Sequence, residues 1–115
     1  MNIAAVRGRL LREPTERELA SGTRLVEYQV AVDYEDRATE SVEVVWPDPP
    51  SSIVLPRQGT EVVAVGRIRR RFFRTANGAT LSRTELVADA VLTARQTRQI
   101  KRRLAGLVAA MTGDG

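Results

Sequence analysis

The chain contains no cysteine and no histidine. Without cysteine there is no disulfide, no thiolate nucleophile and no sulfur-ligated metal. Without histidine, the commonest general base and the commonest transition-metal ligand are both missing. Aromatics are scarce, at 4% of 115 residues: Tyr28, Tyr34, Trp46, Phe72 and Phe73. No apolar run approaches the roughly 20 residues that a membrane-spanning helix needs. No phosphate-binding glycine loop, serine elbow or dinucleotide fingerprint is present. The carboxylates are scattered, and groups such as Glu40 with Glu43, or Asp33, Glu35 and Asp36, have no histidine partner or ligand loop. Neither a metal nor a cofactor is expected, nor is an enzyme. Met1 to Ala5 lacks a basic-then-apolar signal pattern, so a cytoplasmic location is expected.

What is present is a small, basic, valine-rich domain. Its length fits one domain and leaves no room for a second. An apolar content of 43% must supply the core from Val, Leu, Ile and Ala. β-Branched residues of this kind favour strands. The net charge is +4, and of 18 basic residues only Lys101 is a lysine. High-GC codon usage accounts for that ratio but not for where the arginines cluster. Arginine offers a planar fork of donors that suits phosphate and stacks on rings. Nucleic acid is the partner such a surface favours.

Ile3 to Leu11 reads as a first strand, with Gly8 at a bend. Arg12 to Gly22 is polar, holds Pro14, Ser21 and Gly22, and reads as a loop. From Arg24 to Val32 the residues alternate, with Val26, Tyr28, Val30 and Val32 on one side, which marks a half-buried strand. Tyr28 is expected in the core. A third strand runs from Ser41 to Trp46 and stops at Pro47, which cannot donate to a ladder. Pro47 to Pro56 holds four prolines and has room for only a helical turn at Ser51 to Leu55. Thr60 to Phe73 is the longest strand candidate. Thr75 to Ala79, with Asn77-Gly78 at its centre, turns the chain into a returning strand from Leu81 to Leu92.

Five strands with one long hairpin suit a small closed sheet, which removes exposed edges. The tail differs. Ile100, Leu104, Leu107, Val108 and Met111 fall at helical spacing among Arg95, Arg98, Lys101, Arg102 and Arg103. This predicts a β domain over residues 1–93 and an amphipathic basic helix over 94–112, with Gly113 to Gly115 as a frayed end.

The chemistry concentrates in Gly66 to Arg74. Alternate side chains of a strand share a face. Arg67, Arg69, Arg71 and Phe73 then line one face, and Arg74 ends the segment. Ile68, Arg70 and Phe72 line the other face, which continues Val62, Ala64 and Gly66. Phe72 is accordingly expected in the core. A row of cations ending in a ring is what an unpaired nucleic-acid strand needs. Arg7 and Arg9 on the first strand extend the candidate surface. Trp46 is either a stacking platform or a cap on the core, with Tyr34 a weaker candidate for stacking.

These segments resemble the bacterial single-stranded DNA-binding protein family. Gly66-Arg67-Ile68-Arg69-Arg70-Arg71-Phe72-Phe73 is similar to its Gly-x-Leu-x-x-Arg-x-aromatic strand. Asn77-Gly78 falls in its hairpin, and Thr84-Glu85-Leu86-Val87-Ala88 resembles its returning strand. Gly8-Arg9-Leu10 with Pro14, and Tyr28-Gln29-Val30-Ala31-Val32, resemble its first two strands. The match covers about residues 3 to 93. It implies a five-stranded OB-fold barrel followed here by a C-terminal α-helix. It implies sequence-tolerant binding of single-stranded DNA and a homo-oligomer, tetramer or dimer, in replication, repair or recombination; RNA is a third option, since the same rings and charges would serve it. It puts Phe73 on a base-stacking position, Arg69 and Arg71 on basic positions, and Trp46 near an aromatic at the end of the third strand.

The sequence departs from the family where Glu40-Ser41-Val42 replaces an aromatic and Ser82 replaces a frequent tyrosine. A basic helix stands where the family carries a flexible tail with an acidic, Phe-ending tip. This resembles a divergent short member whose binding is more electrostatic. A protein-interaction module acting through the helix, with nucleic-acid binding lost, is the alternative.

Overall fold

The computed structural model describes residues 1–113; Asp114 and Gly115, expected to fray, lie outside the described residues. Six strands precede one helix: β1 Ala4–Leu10, β2 Thr15–Glu18, β3 Arg24–Val32, β4 Glu40–Pro47, β5 Glu61–Arg74, β6 Thr80–Thr93 and α1 Thr97–Thr112. The sheet order is β1-β5-β6-β4-β3-β2. β1 also pairs with β3, through Arg9 opposite Ala31 and Leu10 opposite Val30, so five strands close into a ring. The closed all-β architecture expected from the sequence is present.

Alternation decides what the ring encloses. Val26, Tyr28 and Val30 of β3 face inward, with Val44 and Trp46 of β4, Val62 and Ala64 of β5, and Leu86 and Ala88 of β6. Leu10, Val26, Val30, Val44, Val62 and Leu86 are essentially sealed. Each such side chain contributes roughly 1.5–3 kcal/mol by leaving water. The closure needs a residue without a side chain. A Cβ on Gly8 would lie 2.2 Å from the Ala31 carbonyl oxygen, where β1 passes from β5 to β3.

Two local expectations fail. Arg12 to Gly22 is not all loop, because β2 pairs with Arg24 to Glu27 of β3. All four β2 side chains are exposed, so no inward-outward alternation marks the strand. Its cross-strand partners are polar: Arg17 meets Glu27 at 2.7 Å, and Arg24 meets Glu16. The helical turn expected at Ser51 to Leu55 is absent. A single turn stands there, with the Ile53 N–H donating to the Pro50 carbonyl at 3.2 Å. Pro56 biases Leu55 away from the helical conformation and brings no donor to carry a turn further.

α1 is amphipathic but buries no residue. Leu104, Val108 and Met111 remain 39%, 59% and 65% exposed. Among the described residues no helix is long and apolar enough to cross a membrane.

Candidate nucleic-acid interface

β5 and β6 have 14 residues each, longer than the other strands of the ring. The pair leaves the ring as a two-stranded arm. The departure is marked by a bulge: Val65 stands opposite Ala90 but Gly66 opposite Ala88, so Asp89 is the extra residue. A bulge bends the ribbon and tightens its twist. Gly66 permits the close approach, since a Cβ there would sit 1.9 Å from the Val87 carbonyl oxygen. Asn2 fastens the base of the arm. Its side-chain amide donates to the Ile68 carbonyl at 2.7 Å and its side-chain oxygen accepts from the Ile68 N–H at 3.0 Å. At the tip, the Thr75 N–H donates to the Ala79 carbonyl at 2.9 Å, and Gly78 takes the left-handed conformation.

The arm is strongly cationic. Arg67 to Thr84 contains six arginines and no acidic residue. On the outward face, Arg67, Arg69, Arg71 and Phe73 stand opposite Val87, Glu85, Arg83 and Leu81. Phe73 is 37% exposed, not sealed inside. The Arg83 guanidinium lies over its ring, 5.9 Å from the centroid. Arg71 and Arg83 face each other directly, an unfavourable pairing of like charges on neighbouring strands. Neither has a carboxylate within ion-pair distance among the described residues, and the same holds for Arg67, Arg70 and Arg74. A phosphate between Arg71 and Arg83 would relieve their repulsion. Beside Arg67 the same face continues as an apolar patch of Val87, Val45, Leu25 and Leu19.

The arginines of this face are not equivalent. Arg69 donates from Nε to Glu85 at 3.1 Å, and its Nη2 also bonds that carboxylate. Glu85 is buried, at 3% exposure. A carboxylate held this deep needs a cation beside it. Arg69 is therefore half committed to the protein, while Arg67, Arg71 and Arg83 keep their charge for a ligand.

Three expected placements need correction. Arg7 and Arg9 lie on the outer face of β1 but oppose Val63 and Glu61, at the end of β5 away from Phe73. Each is also neutralised. Arg7 donates to Glu61 at 2.8 Å, and Arg9 donates to Asp33 at 2.9 and 3.2 Å. Those bonds hold Glu61 and Asp33 below the usual carboxylate range and raise both arginines. Trp46 lies in the core, 7% exposed, and so offers no open ring. It follows Val44 by two residues and so takes the inward side of the pleat, leaving Val45 and Pro47 outside. Phe72, expected in the core, is 66% exposed because the arm has left the ring and none of the described residues covers its inward face. Tyr34 is partly exposed, but its ring is stacked by Arg37 at 4.5 Å.

Arg83 and Leu81 also belong to this face, with Glu85 buried beside Arg69, and alternation along β5 alone does not reveal the three. The signal for them was the turn. Arg69 and Glu85 are each eight residues from Asn77, so the hairpin register pairs them.

Residues 1–94 match the model of the Single-strand binding protein family. The chain belongs to that family. Its function is binding single-stranded DNA, without catalysis. A solved structure described as the Plasmodium falciparum SSB complex with ssDNA has a similar fold, at TM-score 0.66 and 19% identity. The alignment covers 81% of this chain and 94% of that one. That likeness shows the fold, the OB type expected above. No curated protein sequence matches the chain.

Proposed function

We propose that this family member grips single-stranded DNA on the outward face of the arm, with little sequence preference. The carrying observation is Phe73: an accessible ring in a row of arginines that, among the described residues, have no acidic partners apart from Arg69. Phe73 stacks a base, and Arg67, Arg71 and Arg83 hold phosphates. Stacking accepts any base because every base has a flat face. The contact suits strands exposed during replication, repair or recombination in the cytoplasm.

The test is anisotropy of labelled dT oligomers against salt, with wild type and Phe73→Ala. Binding that falls steeply with salt and weakens in the variant is expected; no complex at low salt would remove the proposal. Competition with rU oligomers separates DNA from RNA, which the same rings and charges could hold.

The helix supports a second part of the reading, assembly into a homo-oligomer. Leu104, Val108 and Met111 form an exposed apolar stripe at helical spacing, and burying it favours association. Truncation after Ala94 followed by light scattering is expected to lower the mass; an unchanged mass would assign the stripe elsewhere.

A further inference from the structure

We infer that the arm takes single-stranded DNA on both of its faces, with Phe72, Arg70 and Arg74 forming a second platform. The inference rests on the reading of the first face given above.

Within the ring, the inward pleat of β5 is Val62, Ala64 and Gly66, opposed by Thr93, Val91 and Ala88. Past the bulge, the same pleat continues as Ile68, Arg70, Phe72 and Arg74, opposed by Leu86, Thr84, Ser82 and Thr80. The chain changes character where the ring ends. An apolar lining becomes an aromatic with an arginine two residues to either side, facing hydroxyl side chains. Ile68 is 42% exposed and Phe72 66%, more open than Phe73 on the first face.

The charge on this face selects the occupant. Among the described residues Arg70 and Arg74 have no carboxylate within ion-pair distance, and no acidic residue occurs from Arg67 to Thr84. A second apolar protein surface would bury Phe72 only by also desolvating both guanidinium groups without partners, which is costly. An unpaired strand supplies a flat base for the ring and phosphates for the cations at once. Thr84, Ser82 and Thr80 add hydroxyls that can donate to phosphate oxygens.

The geometry also sets how the strand must run. Phe72 and Phe73 are adjacent, so their side chains point to opposite faces. One strand reaches both only by passing around the arm. The second platform should therefore matter for long oligomers and little for short ones, which the richer first face satisfies alone.

The experiment compares Phe72→Ala, Phe72→Leu, Phe72→Tyr and Phe73→Ala in the full chain, by anisotropy with dT oligomers of about 6 and about 20 nucleotides, the first within and the second beyond the site size of one OB fold. Melting temperature and mass are followed in parallel. Phe73→Ala should weaken both oligomers. Phe72→Ala and Phe72→Leu should weaken the long one at least about fivefold, the lower end of one lost stack, while Phe72→Tyr retains affinity. The Arg70→Gln, Arg74→Gln double variant should flatten the salt slope for the long oligomer by about 1.4, two phosphates on a single strand. If Phe72→Ala and Phe72→Leu bind the long oligomer like wild type while Phe73→Ala is weakened, the second platform is wrong and the first stands. If the Phe72 variants change mass but not affinity, the face seats another copy and the inference is overturned. If Phe73→Ala is also without effect, the reading of the first face fails.

Discussion

The guanidinium of Arg69 is bonded to the carboxylate of Glu85, a side chain only 3% exposed on a face that otherwise gathers cations. The pair divides the arginine row by function. Arg69 answers to the protein, and its neighbours answer to the ligand.

This division is measurable as a salt dependence. Each cation that neutralises a phosphate on a single strand adds about 0.7 to the slope of log affinity against log salt. Arg71→Gln should flatten the slope by that amount. Arg69→Gln should change it little, and Glu85→Gln should steepen it by releasing Arg69. Arg69→Gln should instead lower stability by about 1–3 kcal/mol in urea unfolding, because a buried carboxylate loses its partner. Equal slope changes for Arg69→Gln and Arg71→Gln would refute the division.

The bend at Gly66 yields a steric prediction. An added methyl would meet the Val87 carbonyl oxygen at 1.9 Å and the Ala88 Cα at 2.8 Å, and backbone atoms cannot rotate away. Gly66→Ala should cost at least about 1–3 kcal/mol, as overpacking does, and should weaken DNA binding by re-aiming the arm. Gly78→Ala, with open space around it, would strain only the turn and serves as the comparison. An unaltered urea midpoint for Gly66→Ala would show that the strands part more easily than the ladder implies.

Burial pushes the Tyr28 hydroxyl up to about 12 from an ordinary value near 10. The folded state thus favours the neutral phenol. The stability this contributes is complete below pH 10 and is lost as pH rises from about 10 to 12. Over that window stability should fall by up to about 1.4 kcal/mol per pH unit. Tyr28→Phe should remove this component and leave a flatter alkaline profile, read by circular dichroism against pH. An identical profile would mean that the phenolate reaches water without unfolding.

Trp46, in the same core cluster as Tyr28 and opposite Val26, sets a spectroscopic expectation. Its indole cannot stack on a base, so its fluorescence should change little when dT oligomers saturate the arm. Strong quenching would place DNA at the end of β4 instead.

Much of this was readable from residues alone, and the limits have physical causes. The alternation of Val26, Tyr28 and Val30 gave β3 and its inward face, because a half-buried strand must alternate. Asn77-Gly78 gave the hairpin, and with it the shared face of Arg67, Arg69, Arg71 and Phe73. β2 was hidden because Thr15 to Glu18 bury nothing. Phe72 was misplaced because period two says which side a residue takes, not where the ring ends. That end lies just past the bulge at Gly66, where pairing of β6 with β4 stops at Leu86, and it shows only when the strands are paired. Arg7 and Arg9 looked available until the fold brought Glu61 and Asp33 beside them, and Trp46 looked open until its pleat was fixed by Val44.

The most direct test is a dT titration of wild type and Phe73→Ala at two salt concentrations. Removing the ring should weaken binding by about 1–3 kcal/mol at both salts and leave the salt slope unchanged, since the arginines remain. Equal affinity for the two proteins would contradict base stacking on the arm.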